Sequence, residues 1–289
     1  MSTALGGPRS PSPTPVPVRA AATVMLVRDG DAGLEVFMVR RSLVSEFVGG
    51  AYVFPGGAVD PADRHADLDA VCVGRRDADA SVLLGLDPPV GGLAYWVAAI
   101  RESFEEAGVL LAYGDDGAIV DFRDPEVEAR FAAHRTAVDR GARRLVDVCV
   151  EEGLQLAVDR LHYFSHWITP LGPTRRYDTR FFVARAPEWQ SPLHDNRETI
   201  ANTWIRPADA LDRSARGQLD VILPTARNLE AIAHFDTAAA LLAAAATIEE
   251  VPIVIPRVVN DSDGVRILLP GDPGYDRAGG PAAPAAELG

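Results

Sequence analysis

Arg101-Glu102-Ser103-Phe104-Glu105-Glu106-Ala107-Gly108 follows the apolar run Leu93-Ala94-Tyr95-Trp96-Val97-Ala98-Ala99-Ile100. Ile100, Phe104 and Ala107 recur at helical spacing, which predicts one helix from about Gly92 to Ala107, closed by Gly108 as its C-cap. On such a helix Glu102, Glu105 and Glu106 stand at i, i+3 and i+4, so three carboxylates share one face of the last two turns. The helix C-terminus already carries the negative pole, and each acid there costs about 0.3–1 kcal/mol. Like-charged neighbours add roughly 0.2–0.5 kcal/mol per pair. Arg101 answers one of them, most simply Glu105 at i+4. Two readings are open from these residues alone: a solvated acidic helix end, or a site for a hard divalent cation with oxygen ligands.

Working upstream, Tyr52-Val53-Phe54-Pro55-Gly56-Gly57-Ala58-Val59-Asp60 reads as a short strand breaking into a Pro-Gly-Gly turn, where adjacent glycines let backbone approach a ligand or an ion. Strands are expected over Ala21–Val27 and Leu34–Arg40, joined by an Asp29-Gly30 turn. Residues 64–92 carry Asp, Arg, Gly and Pro and read as a loop with a helical turn in Ala80–Leu84. Downstream, Val109–Ala112 reads as a strand, Asp124–Arg140 as a helix and Leu154–Leu161 as a helical piece. Strands are expected at His162–Ile168, Arg180–Ala184 and Ala201–Ile205. Helices are expected to begin at Pro207, to run from Leu223 through Ile232, and to span Ala238–Ala246. Ile253–Ile255 and Val265–Leu269 bracket Asn260-Asp261-Ser262-Asp263-Gly264 and read as a closing hairpin. Residues 1–18 read as a disordered Pro-rich tail, 19–275 as one domain, and 276–289 as a second disordered tail.

The chain has 289 residues, 47% of them hydrophobic, and a net charge of −13. That is enough apolar material for a large core, and the acidic balance argues against a nucleic-acid-binding surface. An anionic substrate would need metal ions or local arginines to overcome the general repulsion. The two cysteines, Cys72 and Cys149, belong to no CxxC motif and read as buried thiols in a reducing compartment. No signal peptide or membrane-length apolar run is visible, and the C-terminal Glu287-Leu288-Gly289 is no peroxisomal address, so a cytoplasmic location is expected.

Phe54-Pro55-Gly56-Gly57 followed by Arg101-Glu102-x-x-Glu105-Glu106-x-Gly108-Val109 resembles the Nudix box. That pattern is Gly, five residues, Glu, seven residues, then Arg-Glu-apolar-x-Glu-Glu-x-Gly-apolar. Ser103 stands at the usual apolar position. Counted forward from Gly57, the first Glu position is Asp63; residues 64–100 then occupy a stretch where the pattern has seven. A long insertion inside the box resembles the coenzyme A diphosphatase subgroup. So do Trp167-Ile168-Thr169-Pro170, the run from Arg175 to Phe182, and Leu268-Leu269-Pro270-Gly271-Asp272.

The resemblance implies an α/β (α+β) fold, a Nudix-type α/β/α sandwich with a mixed central sheet. It implies a hydrolase that cleaves a nucleoside diphosphate linked to another moiety with Mg²⁺ or Mn²⁺. By matching positions, Glu102, Glu105 and Glu106, with a backbone carbonyl of the glycine turn such as Gly57, are metal ligands. Glu105, Glu106 and the distant Glu198 are the catalytic acids, and Arg101 orients the glutamates. Arg175, Arg176 and Arg180 are expected at substrate phosphate, since a guanidinium pairs bidentately with it. His162 and His166 read as strand packing. Coenzyme A or an acyl ester is the leading substrate, with ADP-ribose or a nucleotide sugar as the rival; a non-catalytic nucleotide sensor is the alternative of another class. The expected partner is a small nucleotide, with no nucleic acid and no membrane, and the insertion is read as a lid, a homodimer contact or a loop.

Overall fold

The computed structural model describes residues 16–43, 49–64, 68–192, 198–261 and 264–278. Most of both expected tails lies outside these residues, although Val18 already opens the first strand and Asp276–Ala278 form a 3-10 turn.

In chain order, β1 (Val18–Gly30) and β2 (Gly33–Arg41) form the expected hairpin, but its turn is Asp31-Ala32, with Asp29 and Gly30 still paired in β1. The short β3 (Tyr52–Val53) and β4 (Gly56–Ala58) carry the Pro-Gly-Gly segment, and a 3-10 turn, Pro61–Asp63, follows. The box insertion is not a bare loop. It holds α1 (Leu68–Val71) and α2 (Asp77–Leu83), whose Leu68, Val71 and Ala80 are buried, as is Leu84 just after α2. Next come α3 (Leu93–Glu102), β5 (Ala112–Tyr113), α4 (Pro125–Asp139), α5 (Leu145–Glu152) and β6 (Gln155–Leu156). Then β7 (His162–Ile168), β8 (Arg176–Arg185) and β9 (Thr199–Ile205) are followed by α6 (Pro207–Ala215), α7 (Leu223–Ile232) and α8 (Ala238–Ala245). Last are β10 (Ile253–Val254), β11 (Arg257–Asp261) and β12 (Gly264–Leu268).

β1 is the axis of an eight-stranded mixed sheet. Along one edge β8 runs parallel to it from Val18↔Arg176 to Val27↔Arg185. Along the other, its first half pairs antiparallel with β4 and its second with β2. β7 then β10 extend the β8 side; β9 and β3 pair with β2. Because β1 is covered on both faces, its buried residues split by period two. Ala22, Val24 and Leu26 face a core with Trp96, Ile100 and Phe104 of the box helix. Met25 and Val27 face a second core with Leu229, Ile232 and Leu241 of α7 and α8. The result is the expected α/β/α sandwich with a mixed sheet.

Four expectations change. Of the strand expected at Val109–Ala112 only Ala112 is in a strand, β5. The helical piece at Leu154–Leu161 is instead β6 plus a 3-10 turn, Val158–Arg160, and α5 precedes it. The hairpin partner of β12 is β11, not Ile253–Ile255. β10 instead pairs parallel with β7, Ile253↔His166 and Val254↔Trp167.

The insertion braces the start of the box helix. The Asp77 carboxylate of α2 accepts the N–H of Leu93 at 2.9 Å and of Gly91 at 2.8 Å, and Ser81 Oγ accepts that of Gly92 at 2.8 Å. A helix leaves its first N–H groups without partners, and an anion there also meets the positive pole. The segment expected to be a lid, dimer contact or loop therefore holds α3 at its far end from the glutamates. Cys72 and Cys149 are both buried and free, and burial pushes both thiols up to about 12.

Candidate active site

The box helix is α-helical only to Glu102. Ser103–Ala107 widen into a π turn, and Gly108 then ends the helix at φ +70°. That left-handed conformation favours glycine, and a Cβ there would also meet Arg135 Nη1 at 2.9 Å. Single π turns recur at functional sites because they re-aim side chains relative to the α-helical spacing. Ser103, at an apolar position of the pattern, is fully buried and satisfied: its Oγ donates to the Val109 carbonyl at 3.0 Å.

The glycine turn closes against the carboxylates. Gly56 N–H donates to Glu106 Oε2 at 3.0 Å. A Cβ on Gly57 would stand 2.4 Å from Glu102 Oε1, so only a glycine admits that carboxylate. Glu102 and Glu106 are 9% and 4% exposed, far below what solvated acids show. Burial raises Glu102 well above the usual carboxylate range, helped by Glu106 and Glu105 and opposed by Arg101. Burial likewise pushes Glu105 up to about 7, against the pull of Arg101.

One acid is expected for Arg101 from the sequence; it hydrogen-bonds three and a carbonyl, and a fourth, Asp60, lies 3.9 Å from Nη2. Its Nη1 lies 2.9 Å from both Glu102 Oε1 and Glu105 Oε2. Its Nε and Nη2 grip Asp63 at 2.8 and 3.0 Å, and Nη2 also donates to the Ala58 carbonyl at 2.8 Å. Burial works against its charge, but Glu102, Asp63 and Glu105 outweigh that and raise its pKa further. Asp63, at the counted first-Glu position, thus reaches the box arginine across the whole insertion.

Two cavities meet here. The smaller, about 330 Å³, is lined by Asp60, Arg101, the three box glutamates, Glu198 and the end of α4 from Val138 to Gly141. The larger, about 480 Å³, is mostly apolar, with Phe54, Trp167, Phe181 and Ile267 on its walls. Its polar lining includes Arg41, Arg175, Tyr177 and Glu198. Glu102 and Glu198 line both, so the acidic and apolar spaces join at those two side chains. Glu198 is exposed and immediately precedes β9, whose Thr199 pairs with Arg41; residues 193–197 before it lie outside the described set.

Of the three arginines expected at phosphate, only Arg175 lines the large cavity. Arg176 is 6% exposed and donates to the carbonyls of Thr169, Pro170 and Val16. Arg180 lies on the opposite sheet face, paired with Asp178 and 4.8 Å over the Tyr95 ring. His166 packs into the same buried group, hydrogen-bonded to Asp178, as a strand-packing histidine would. Asp60, Asp139 and Arg140 also line the smaller cavity and have no signature in the sequence; Arg41, which as a strand-end arginine reads from sequence as either a phosphate contact or plain surface, lines the larger one. α4 was legible as a helix, but its docking was not: Arg135 Nε donates to the Glu105 carbonyl at 2.9 Å, a contact with no local signature.

The donor set suits a hard divalent ion. It gathers buried carboxylate oxygens beside a glycine cradle, with the Arg101 guanidinium already shared among them. A second cluster, His134, Glu151 and Glu152, brings its ligand atoms within 4.8 Å of one another. Arg130 pairs with Glu152 and Arg143 with Glu151, so that charge is already balanced in a salt-bridge network tying α4 to α5.

Comparison with known proteins agrees with this geometry. The model of the NUDT19 Nudix domain matches residues 78–231. The chain belongs to the Nudix hydrolase family. It is a Nudix pyrophosphohydrolase whose box is split by a folded insertion. The acyl-coenzyme A diphosphatase NUDT19 of Xenopus laevis is 28% identical over 273 residues, covering 83% of this chain and 71% of that protein. The Homo sapiens protein of the same name is 27% identical over 272 residues, covering 84% and 72%. A crystal structure of a Nudix hydrolase from Alicyclobacillus acidocaldarius superposes with a TM-score of 0.64 at 27% identity, covering 78% of this chain and 96% of that one. Among the described residues, no helix of this Nudix hydrolase is long and apolar enough to cross a membrane.

Proposed function

We propose that this Nudix hydrolase cleaves the pyrophosphate bridge of coenzyme A or its acyl esters, using Mg²⁺ or Mn²⁺, in the cytoplasm. The observation that carries the reading is the junction at Glu102 and Glu198. There an acidic cavity of about 330 Å³ opens into a mainly apolar one of about 480 Å³. A pyrophosphate belongs in the first, and a large organic moiety with its own phosphate fits the second, where Arg175 is. The relatives named acyl-coenzyme A diphosphatase support the same substrate.

In this reading Glu102, Glu105 and Glu106, with the backbone of Gly57, hold the metal. Bound divalent ions neutralise the bridge and activate the attacking oxygen. Arg101 keeps Glu102 and Glu105 facing the cavity from behind. Glu198, placed where the two cavities join, accepts a proton from the attacking water, and Glu105 and Glu106 share the acid–base work. Arg175 recognises the substrate's outlying phosphate. Products are a phosphopantetheine-type monophosphate and an adenosine bisphosphate.

The test is a panel of coenzyme A, acyl-coenzyme A, ADP-ribose, dinucleotide cofactors and nucleoside triphosphates, each with Mg²⁺ or Mn²⁺ and with products identified by mass. Preferred turnover of coenzyme A compounds is expected, and preference for ADP-ribose would replace the substrate. Glu105→Gln and Glu106→Gln should each lose at least about 10²-fold in kcat. Wild-type-like rates in either would remove this site.

A further inference from the structure

The lining of the acidic cavity is mainly carboxylate. Asp60, Glu102, Glu105, Glu106, Asp139 and Glu198 line it, and among its described lining residues the cations are Arg101 and Arg140. Arg101 is buried and committed to Asp63, Glu102, Glu105 and the Ala58 carbonyl, so it cannot turn to a substrate without abandoning them. Arg140 is different. It is exposed and lines the cavity, and among the described residues its guanidinium makes no ion pair or hydrogen bond.

Its position is fixed by the fold. α4 is pinned to the end of the box helix by the Arg135–Glu105 contact at 2.9 Å, one turn before Arg140. The chain then leaves α4 at Gly141, φ +65°, whose backbone also lines the cavity. The fixed helix end therefore sets Arg140 in the wall of the same cavity that the box glutamates line.

We propose that Arg140 binds the substrate's pyrophosphate and offsets the charge that develops on its phosphoryl oxygens during cleavage. A guanidinium is suited to this because its planar fork meets two phosphate oxygens at once, and preorganised cations act where charge develops. The proposal rests on pyrophosphate hydrolysis, whichever moieties flank the bridge.

The experiment compares wild type, Arg140→Ala and Arg140→Lys in the intact protein. Steady-state kinetics use coenzyme A and its analogue lacking the 3′-phosphate, or another cleaved member of the panel. Calorimetry with a methylene-bridged diphosphate analogue and Mg²⁺ gives binding without turnover. Arg140→Ala should lose about tenfold or more in kcat/KM, equally on both substrates, and weaken analogue binding. Arg140→Lys should recover part of both, with melting temperature and Mg²⁺ requirement unchanged. Wild-type kinetics and binding in Arg140→Ala would overturn the assignment, as would a loss confined to the 3′-phosphorylated substrate. Loss of folding in both variants would also overturn it, since it would make Arg140 structural. If wild type binds the analogue but cleaves nothing, the hydrolase reading fails, while the binding comparison still decides Arg140.

Discussion

Asp63 and Arg101, 38 residues apart, form a two-pronged ion pair, Nε to Oδ1 at 2.8 Å and Nη2 to Oδ2 at 3.0 Å. Both side chains are almost wholly buried. The pair stitches the two halves of the box across the insertion and leaves Nη1 free to hold Glu102 and Glu105. Removing one member of a buried pair strands the other charge, typically at about 3–5 kcal/mol. Arg101 would keep its two glutamates, so Asp63→Ala should cost about 3 kcal/mol, the low end of that range. Urea unfolding measures it. An unchanged midpoint and slope would show that the pair adds nothing to stability.

Gly57 tests the cradle. Its missing Cβ leaves the place taken by Glu102 Oε1, 2.4 Å from where that atom would be. Gly57→Ala must push the carboxylate aside, since the glycine lies in β4 and cannot retreat without breaking its pairing with Ala22. Displacements of this size at a reacting centre cost up to about 10²-fold. The variant should fold, with a melting temperature close to wild type, yet lose about ten- to a hundredfold in kcat and need more Mg²⁺. Full activity at the wild-type Mg²⁺ requirement would disconnect Gly57 from the metal site.

The buried acids make metal binding and pH inseparable. Glu105 is raised from 4.5 to about 7 by burial, so between those values the folded protein keeps a proton that the unfolded chain releases. Stability follows the protons bound in the unfolded state minus those bound in the folded state. That difference is negative in this window, so this group's contribution to metal-free stability falls as pH rises from about 4.5 to about 7. A divalent ion must displace the proton. Its affinity, and the rise in melting temperature it causes, should therefore grow on going from about pH 6 to about pH 8. Thermal melts with EDTA and with Mg²⁺ at both pH values check this. A metal-induced shift that does not grow with pH would place the ion away from Glu105.

Much of the site was legible because it is local. Arg101 to Gly108 gives the helix, its acids and its cap within eight residues, and the Gly56-Gly57 turn sits beside the strand that aligns it. What was hidden depends on distant chain. Asp77 and Ser81 cap a helix that starts more than ten residues later, and nothing in their neighbourhood says so. Ile253-Val254 read as half of a hairpin because turn chemistry marks antiparallel neighbours, whereas its parallel pairing with β7 leaves no such mark. α5 is only eight residues long, too short for its apolar spacing to stand out. The three arginines from 175 to 180 were grouped by proximity, although a strand sends alternate residues to opposite faces.

That alternation divides Arg175 from Arg176. Tyr177 and Thr179 line the large cavity with Arg175, while Asp178 and Arg180 join the buried group beneath Tyr95 on the other face. Arg176 spends its guanidinium on three carbonyls, clamping the β7–β8 turn and the chain just before β1. The two substitutions should then have opposite signatures. Arg175→Ala should raise KM for coenzyme A by about tenfold, and raise it less for the analogue without the 3′-phosphate, with stability unchanged. Arg176→Ala takes the donor from three part-buried carbonyls, at about 1 kcal/mol or more, so it should lower the melting temperature and affect both substrates alike. Kinetics on the two substrates, run beside thermal melts of the same preparations, separate the cases. A 3′-phosphate-dependent KM effect in Arg176→Ala with wild-type stability would reverse the assignment, because it would require that side chain to leave its carbonyls for the substrate.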